Sequence, residues 1–221
     1  RTRKNMKGGN KQYAQELECL ERIKEALYND RAARTVELNE EERLLLRDLH
    51  LLTMKPVLYA ANVSESEAAN YEGNPYVKQV IEYAAKENAE VVVISARVES
   101  EIAELEGEDK EMFLAELGLA ESGLNRLIRS AYKLLGLQTY FTAGEQEVRA
   151  WTIKANTKAP QAASVIHSDF ERGFIRAEVV SYEDLIACGS MNAVREKGLL
   201  RLEGKDYIVQ DGDIMHFRFN V

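Results

Sequence analysis

The chain has 221 residues, of which 45% are hydrophobic and 30% charged, and its formal net charge is −8. Such a composition belongs to a globular protein with room for one large domain or two small ones. It excludes a membrane span, because no apolar run approaches the ~20 residues required, and a signal peptide, because the start of the chain is basic and polar with no apolar centre.

The charge is unevenly spread, with a net of +1 over residues 1–54, −7 over 55–137 and −2 over 138–221. No segment is basic enough to hold nucleic acid by bulk charge, and no DNA partner is expected. The one basic run, Arg1, Arg3, Lys4, Lys7 and Lys11, reads as a solvated or disordered end. Cys19 and Cys188 fit no metal spacing and read as reduced thiols of a cytoplasmic protein. His50, His167 and His216 are scattered, so no metal ligand set is expected.

The first predicted element is a helix, because Tyr13, Leu17, Leu20, Ile23 and Leu27 repeat at steps of three and four. Asn29-Asp30 interrupts it. A second helix is expected after Asn39, with Glu42 completing a capping box and Leu44, Leu45, Leu46, Leu49 and Leu52 following. The pair predicts an antiparallel helical arm over 1–54, although a plain bundle would show the same pattern. Val57–Ala61 is a short apolar run typical of a buried strand. Pro75 opens a helix whose predicted buried face is Val77, Val80, Ile81 and Ala84. Val91–Ile94 is a second buried strand. Helices are expected over Glu108–Leu117 and Gly123–Leu135, the latter capped by Gly136. Strand–helix alternation over 55–137 predicts a parallel α/β sheet.

From about residue 138 the pattern changes. Strands are predicted at Thr139–Thr142, Glu147–Lys154, Ile175–Val180, Tyr207–Val209 and Ile214–Phe219, with Ala143-Gly144 and Asp211-Gly212-Asp213 as turns. Short helices are predicted at Gln161–His167 and from a Ser181/Asp184 cap to Cys188-Gly189. Short strands and small helices in about 80 residues suggest an α+β domain such as a β-grasp, with the boundary near Leu137.

Ligands of doubly wound sheets bind outside the carboxyl ends of strands. Here the first strand runs into Asn62-Val63-Ser64-Glu65 and the second into Ser95-Ala96. A carboxamide and a carboxylate at that rim suit the edge of a base, and a Ser-Ala turn offers backbone hydrogen bonds at little steric cost. Taken singly, either motif also fits a loop or helix cap. No elbow or paired base surrounds Ser95, His167 or Cys188, so no catalytic nucleophile is expected.

Three segments carry a family resemblance: Lys55-Pro-Val-Leu-Tyr-Ala-Ala-Asn-Val-Ser-Glu65, Val91-Val-Val-Ile-Ser-Ala96 and Asp211-Gly-Asp-Ile-Met-His-Phe-Arg-Phe-Asn-Val221. They closely resemble the YchF (Obg-like) ATPase family, and the resemblance covers essentially the whole chain. It implies a partial P-loop NTPase sheet of doubly wound type, an antiparallel helical arm and a C-terminal α+β (β-grasp, TGS) domain. It further implies a ribosome-associated, nucleotide-switched hydrolase that prefers ATP over GTP. By resemblance, Asn62 and Val63 contact adenine, Glu65 stands where GTPases carry the guanine-reading Asp, and Ser95 and Ala96 close the pocket. The P-loop Gly-x-x-x-x-Gly-Lys-Ser/Thr and the Asp-x-x-Gly switch, which hold phosphates and Mg²⁺, do not occur in residues 1–221. The chain is thus expected to begin inside the arm, to lack the Mg²⁺ ligands and to be inactive alone. RNA or ribosome contact is implied through the TGS domain, with Lys154, Lys158, Arg172, Arg176, Arg195, Lys197, Arg201 and Arg218 as candidates. Trp151, Phe170, Phe174 and Phe217 suit core packing better than base stacking. The alternative is a non-catalytic RNA- or ribosome-binding module acting through the arm and the TGS domain.

Overall fold

The computed structural model describes residues 11–144 and 147–220, excluding the side chains of Lys11 and Gln12. The predicted basic run therefore lies almost wholly outside the described residues. The chain divides into two compact units, one ending at Ala131 and the other starting at Tyr132. The expected boundary near Leu137 falls at the start of the second unit's first strand.

In the first unit, α1 spans Lys11–Tyr28. Cys19, Ile23 and Ala26 are buried on it, while Leu27 at the end of the predicted stripe is 39% exposed. The helix stops where Asp30 turns left-handed, at φ 53°. The Asn39–Glu42 capping box forms as expected, Glu42 N donating to Asn39 Oδ1 at 2.9 Å and Asn39 N to Glu42 Oε2 at 2.8 Å. The helix it starts, α2 (Glu40–Leu45), is shorter than its leucines predict and passes into 3₁₀ turns at Arg47–Leu49 and Leu52–Met54. Leu46 alone of the run is fully buried, with Leu44 and Leu52 mostly exposed. Consecutive leucines cannot share one face of a helix, so the chain breaks into short turns that seat Leu46, Leu51 and Met54 against Cys19 and Ile23.

Strand β1 (Leu58–Asn62) pairs in parallel with β2 (Glu90–Ile94), Leu58 opposite Glu90 through Asn62 opposite Ile94. Between them runs α3 (Pro75–Lys86), capped by Asn74, whose Oδ1 accepts from Tyr76 N and Val77 N. Val77 and Ala84 are buried, but Ile81 is 43% exposed, correcting the four-residue face. A single two-stranded layer leaves only a narrow strip for the helix to cover. For the same reason β1 is half-buried, with Ala60 exposed. After β2 comes α4 (Ala96–Ile102), a helix the sequence reading took for a turn, then α5 (Gly107–Glu116) and α6 (Gly123–Leu135). Glu99 fixes the start of α6 by accepting from Gly123 N at 2.7 Å and Leu124 N at 3.0 Å. Gly136, at φ 59°, ends it.

The second unit is a five-stranded mixed sheet in the order β4-β3-β7-β5-β6. Its strands are β3 (Leu137–Ala143), β4 (Val148–Lys154), β5 (Phe174–Ser181), β6 (Arg201–Glu203) and β7 (Asp213–Phe219). β3 and β7, the first and last strands, lie parallel at the centre, and the other pairings are antiparallel. That order is the β-grasp. Tyr140, Ile153, Phe174, Met215 and Phe217 fill the core with α7 (Ala159–Ser164) and α8 (Ser168–Arg172). The predicted 161–167 helix is thus α7 alone, which starts earlier and stops at Ser164, and α8 follows it unpredicted, where the His167 ring accepts from Asp169 N. Helices α9 (Tyr182–Cys188) and α10 (Met191–Glu196) pack Leu185 and Val194 on Val180 and Ile214. The Ser181 cap is present, but α10 and β6 went unpredicted. Tyr207–Val209 is not a strand: only Ile208 bridges, to Lys158. Tyr207 is held instead by its hydroxyl, which donates to Asp213 at 2.7 Å.

Candidate functional site

Parallel pairing brings the carboxyl ends of β1 and β2 side by side, and a cleft of about 490 Å³ opens there. Asn62, Val63, Glu65, Ser95, Arg97 and Leu117 line it. The structure thus gathers the predicted rim residues, with Ala96 joined to them through its backbone. Val63 N donates to Ile94 O at 2.8 Å, and Ala96 N donates to Asn62 Oδ1 at 2.9 Å. The second bond ties the end of β1 to the first residue of α4 through the Asn62 carboxamide oxygen.

Side-chain hydrogen bonds brace the loop. Ser64 Oγ donates to Glu67 Oε2 at 2.6 Å, and Asn74 Nδ2 donates to Glu67 Oε1 at 2.9 Å. These hydrogen bonds from Ser64 and Asn74 hold the Glu67 carboxyl below its ordinary range. Glu65, between them, projects to the rim. Its nearest cation is Arg97, whose Nε lies 3.6 Å from Glu65 Oε2 and 3.3 Å from Glu101 Oε1. Both side chains of the Glu65–Arg97 pair are largely solvated, so the pair is weak and Glu65 stays available to a ligand. Arg97 was not anticipated. The signal was a base directly after the Ser-Ala turn, four residues before a glutamate on a helix that was itself missed.

Among the described residues, Ser95 Oγ is one of three buried side-chain polar atoms without a partner, with Arg22 Nε and Arg126 Nε. The residue is 3% exposed, and its Oγ has no hydrogen-bond partner. A buried hydroxyl without a partner costs about 1–3 kcal/mol. That oxygen has almost no accessible surface, so the groups the cleft offers to a nucleotide base are the Asn62 carboxamide and the Glu65 carboxylate.

In the β-grasp unit the eight candidate cations divide. Lys154 Nζ donates to Leu135 O at 2.8 Å, Lys158 pairs with Asp206 at 2.7 Å and Arg201 pairs with the buried Asp213 at 3.2 Å. Arg218 pairs with Glu178 at 3.0 Å. Arg172, Arg176, Arg195 and Lys197 are exposed. The aromatics pack inward: Phe174 and Phe217 belong to the core, and Trp151 and Phe170 lie against it. The C-terminal Asp211-Gly-Asp block is structural, with Asp211 Oδ1 accepting from Thr139 N and Gly212 N donating to Thr139 O. Asp213 accepts from Tyr207, Gln210 N and Arg201. Burial and that carboxylate push the Tyr207 hydroxyl up to about 12.

Fold and cleft together define an α/β protein of the P-loop NTPase type, carrying a β-grasp unit. Residues 137–220 match the family model YchF-GTPase_C, described as a protein of unknown function (DUF933). The ribosome-binding ATPase YchF of Bacillus subtilis (strain 168) is 63% identical over 206 residues, or 93% of this chain and 56% of that protein. That of Haemophilus influenzae is 55% identical over the whole chain and 60% of its own length. The structure of the Schizosaccharomyces pombe YchF GTPase superposes with a TM-score of 0.82 at 31% identity, covering 98% of this chain and 61% of that one. A GTP binding protein from Pyrococcus horikoshii OT3, 18% identical with a TM-score of 0.53 over 90% of this chain and 56% of its own, shares the fold. The chain spans 56% and 60% of the lengths of these two curated relatives, and over that span it is similar to YchF-type (Obg-like) sequences.

Proposed function

We propose that this chain supplies base recognition and the β-grasp unit of a cytoplasmic, ribosome-associated, nucleotide-switched ATPase that prefers ATP over GTP. Phosphate and Mg²⁺ binding fall to a P-loop not present in these 221 residues. The observation that carries the reading is the bond from Ala96 N to Asn62 Oδ1 at the paired ends of two parallel strands, beside the unanswered Ser95 hydroxyl. ATP, when bound, brings the phosphoanhydride whose hydrolysis drives the switch. The residues here hold and select its base. Asn62 keeps its amino group as a donor, and Val63 and Ser95 line the cleft around the ring. The Glu65 side-chain oxygens accept from an exocyclic amino group at position 6 and disfavour the carbonyl oxygen that guanine carries there. The five-stranded unit is read as a TGS domain, and relatives that are named ribosome-binding support a ribosome or RNA partner.

Calorimetric titration of this chain, and of one extended N-terminally through the P-loop, with ATP and GTP tests the reading. Only the extended chain is expected to bind, with ATP preferred and the preference lost in Glu65→Ala. Preference for GTP would overturn the assignment of the base pocket. Sustained Mg²⁺-dependent hydrolysis by the 221-residue chain alone would overturn the division of the site. Should neither chain bind nucleotide while this one co-sediments with ribosomes, the non-catalytic binding module is the better account.

A further inference from the structure

Directly opposed residues of an antiparallel pair point to the same face of a sheet, and so do residues two apart on one strand. On β5 and β7, Arg176 lies opposite Arg218 and Glu178 opposite His216. All four side chains therefore share one face, opposite the face on which Ala177 and Phe217 join the core. Arg176, His216 and Arg218 are exposed. Like charges directly across a strand pair repel, and this unit carries a net −2 over residues 138–221. Two arginines opposed on its sheet, with a histidine beside them, run against that average.

Glu178 is the one carboxylate on this strip of β5 and β7, and its side chain is only 15% exposed. It accepts from Arg218 Nε at 3.0 Å, and that bond, with the charges of Arg218, His216 and Arg195 of α10, holds its carboxyl below the ordinary range. One carboxylate thus faces three arginines and balances only Arg218. Arg176 forms no ion pair among the described residues. Of the other candidate cations, Lys154 bonds Leu135 O, Lys158 pairs with Asp206 and Arg201 pairs with Asp213, while Arg172 and Lys197 are exposed outside these two strands.

We propose that this face of β5 and β7, through Arg176, Arg195 and Arg218 with His216 between them, binds the phosphate backbone of ribosomal RNA. The assignment rests on the ribosome-binding reading above and locates it. Guanidinium groups suit phosphate because their planar fork donates two hydrogen bonds at once. No aromatic side chain lies on the strip, so contact is to backbone and carries little sequence preference.

The test measures binding of the 221-residue chain to purified 70S ribosomes by co-sedimentation and to naked ribosomal RNA by fluorescence anisotropy, each over a salt series. Arg176→Gln/Arg218→Gln is expected to weaken both by about tenfold or more and to lower the salt slope by about 2. Arg176→Gln alone breaks no described ion pair and should lower the slope by about 1, which keeps the test open if the double variant melts early. Glu178→Gln, which removes the lone carboxylate, should bind a fewfold tighter, an effect that misfolding does not imitate. Wild-type affinity in a folded Arg176→Gln variant would overturn the proposal. Weaker ribosome binding with unchanged binding to naked RNA would assign the face to a ribosomal protein instead. If the wild-type chain binds no ribosomes, the ribosome-binding reading itself falls, and this face with it.

Discussion

Glu87 follows α3 and ties three segments of the first unit with one carboxylate. Arg34 Nη2 donates to Glu87 Oε2 at 2.6 Å, Tyr59 of β1 donates to the same oxygen at 3.0 Å, and Tyr83 donates to Oε1 at 3.4 Å. The carboxylate is nearly buried, and Arg34 also donates to Thr53 O. Hydrogen bonding from Arg34 is the chief reason its carboxyl lies below the ordinary range. A carboxyl lowered on folding stabilises above its unfolded value of about 4.3, and that stability is lost as pH falls through the lower folded value. Glu87→Gln should therefore cost about 1–2 kcal/mol at neutral pH, and the gap should close as pH falls below about 4. Urea melts at pH 7 and pH 3 would check it, and an equal gap at both would rule out ionisation as the cause. No sequence pattern marked Glu87, because Tyr59 and Arg34, the two partners of its Oε2, come from positions 28 and 53 residues away.

Among the elements, α6 shows how closely a helix can be set on a strand. A Cβ added at Gly123 would lie 2.8 Å from Ile94 Cγ2 and 2.9 Å from Glu99 Oε1. Gly123 thus lets the start of α6 approach the end of β2, next to Ser95. Arg126 Nη2 reinforces the approach by donating to Val93 O at 2.9 Å. Gly123→Ala should destabilise the first unit by about 1–3 kcal/mol and loosen the cleft, measured as a lower melting temperature with faster amide exchange at Val93–Ala96. Unchanged exchange there would show that α6 yields without disturbing the strand. The extent of α6 was legible because its start, its C-cap Gly136 and its apolar period all lie in one stretch. α4 was not, because a seven-residue helix shows its apolar period only once, in Val98 and Ile102. Tyr207–Val209 failed as a strand because its apolar alternation serves a loop, in which Val209 is buried and Tyr207 caps Asp213.

For the molecule as a whole, the second unit closes its sheet and main core entirely within residues 137–219. Residues 136–221 should accordingly fold alone and melt in one cooperative transition followed by circular dichroism. A gradual, non-cooperative melt would mean that this core needs the first unit. The hydrophobic periods, caps and turn glycines determined both fold classes, the parallel pair and the rim residues Asn62, Val63, Glu65, Ser95 and Ala96, because each is a local signal. Tertiary structure alone decided that Asn62 bonds Ala96 across 34 residues, that the Ser95 hydroxyl is buried without a partner, and that Arg176, Glu178, His216 and Arg218 share one face. Those facts depend on strand register, and register is set by pairing between segments far apart in the chain.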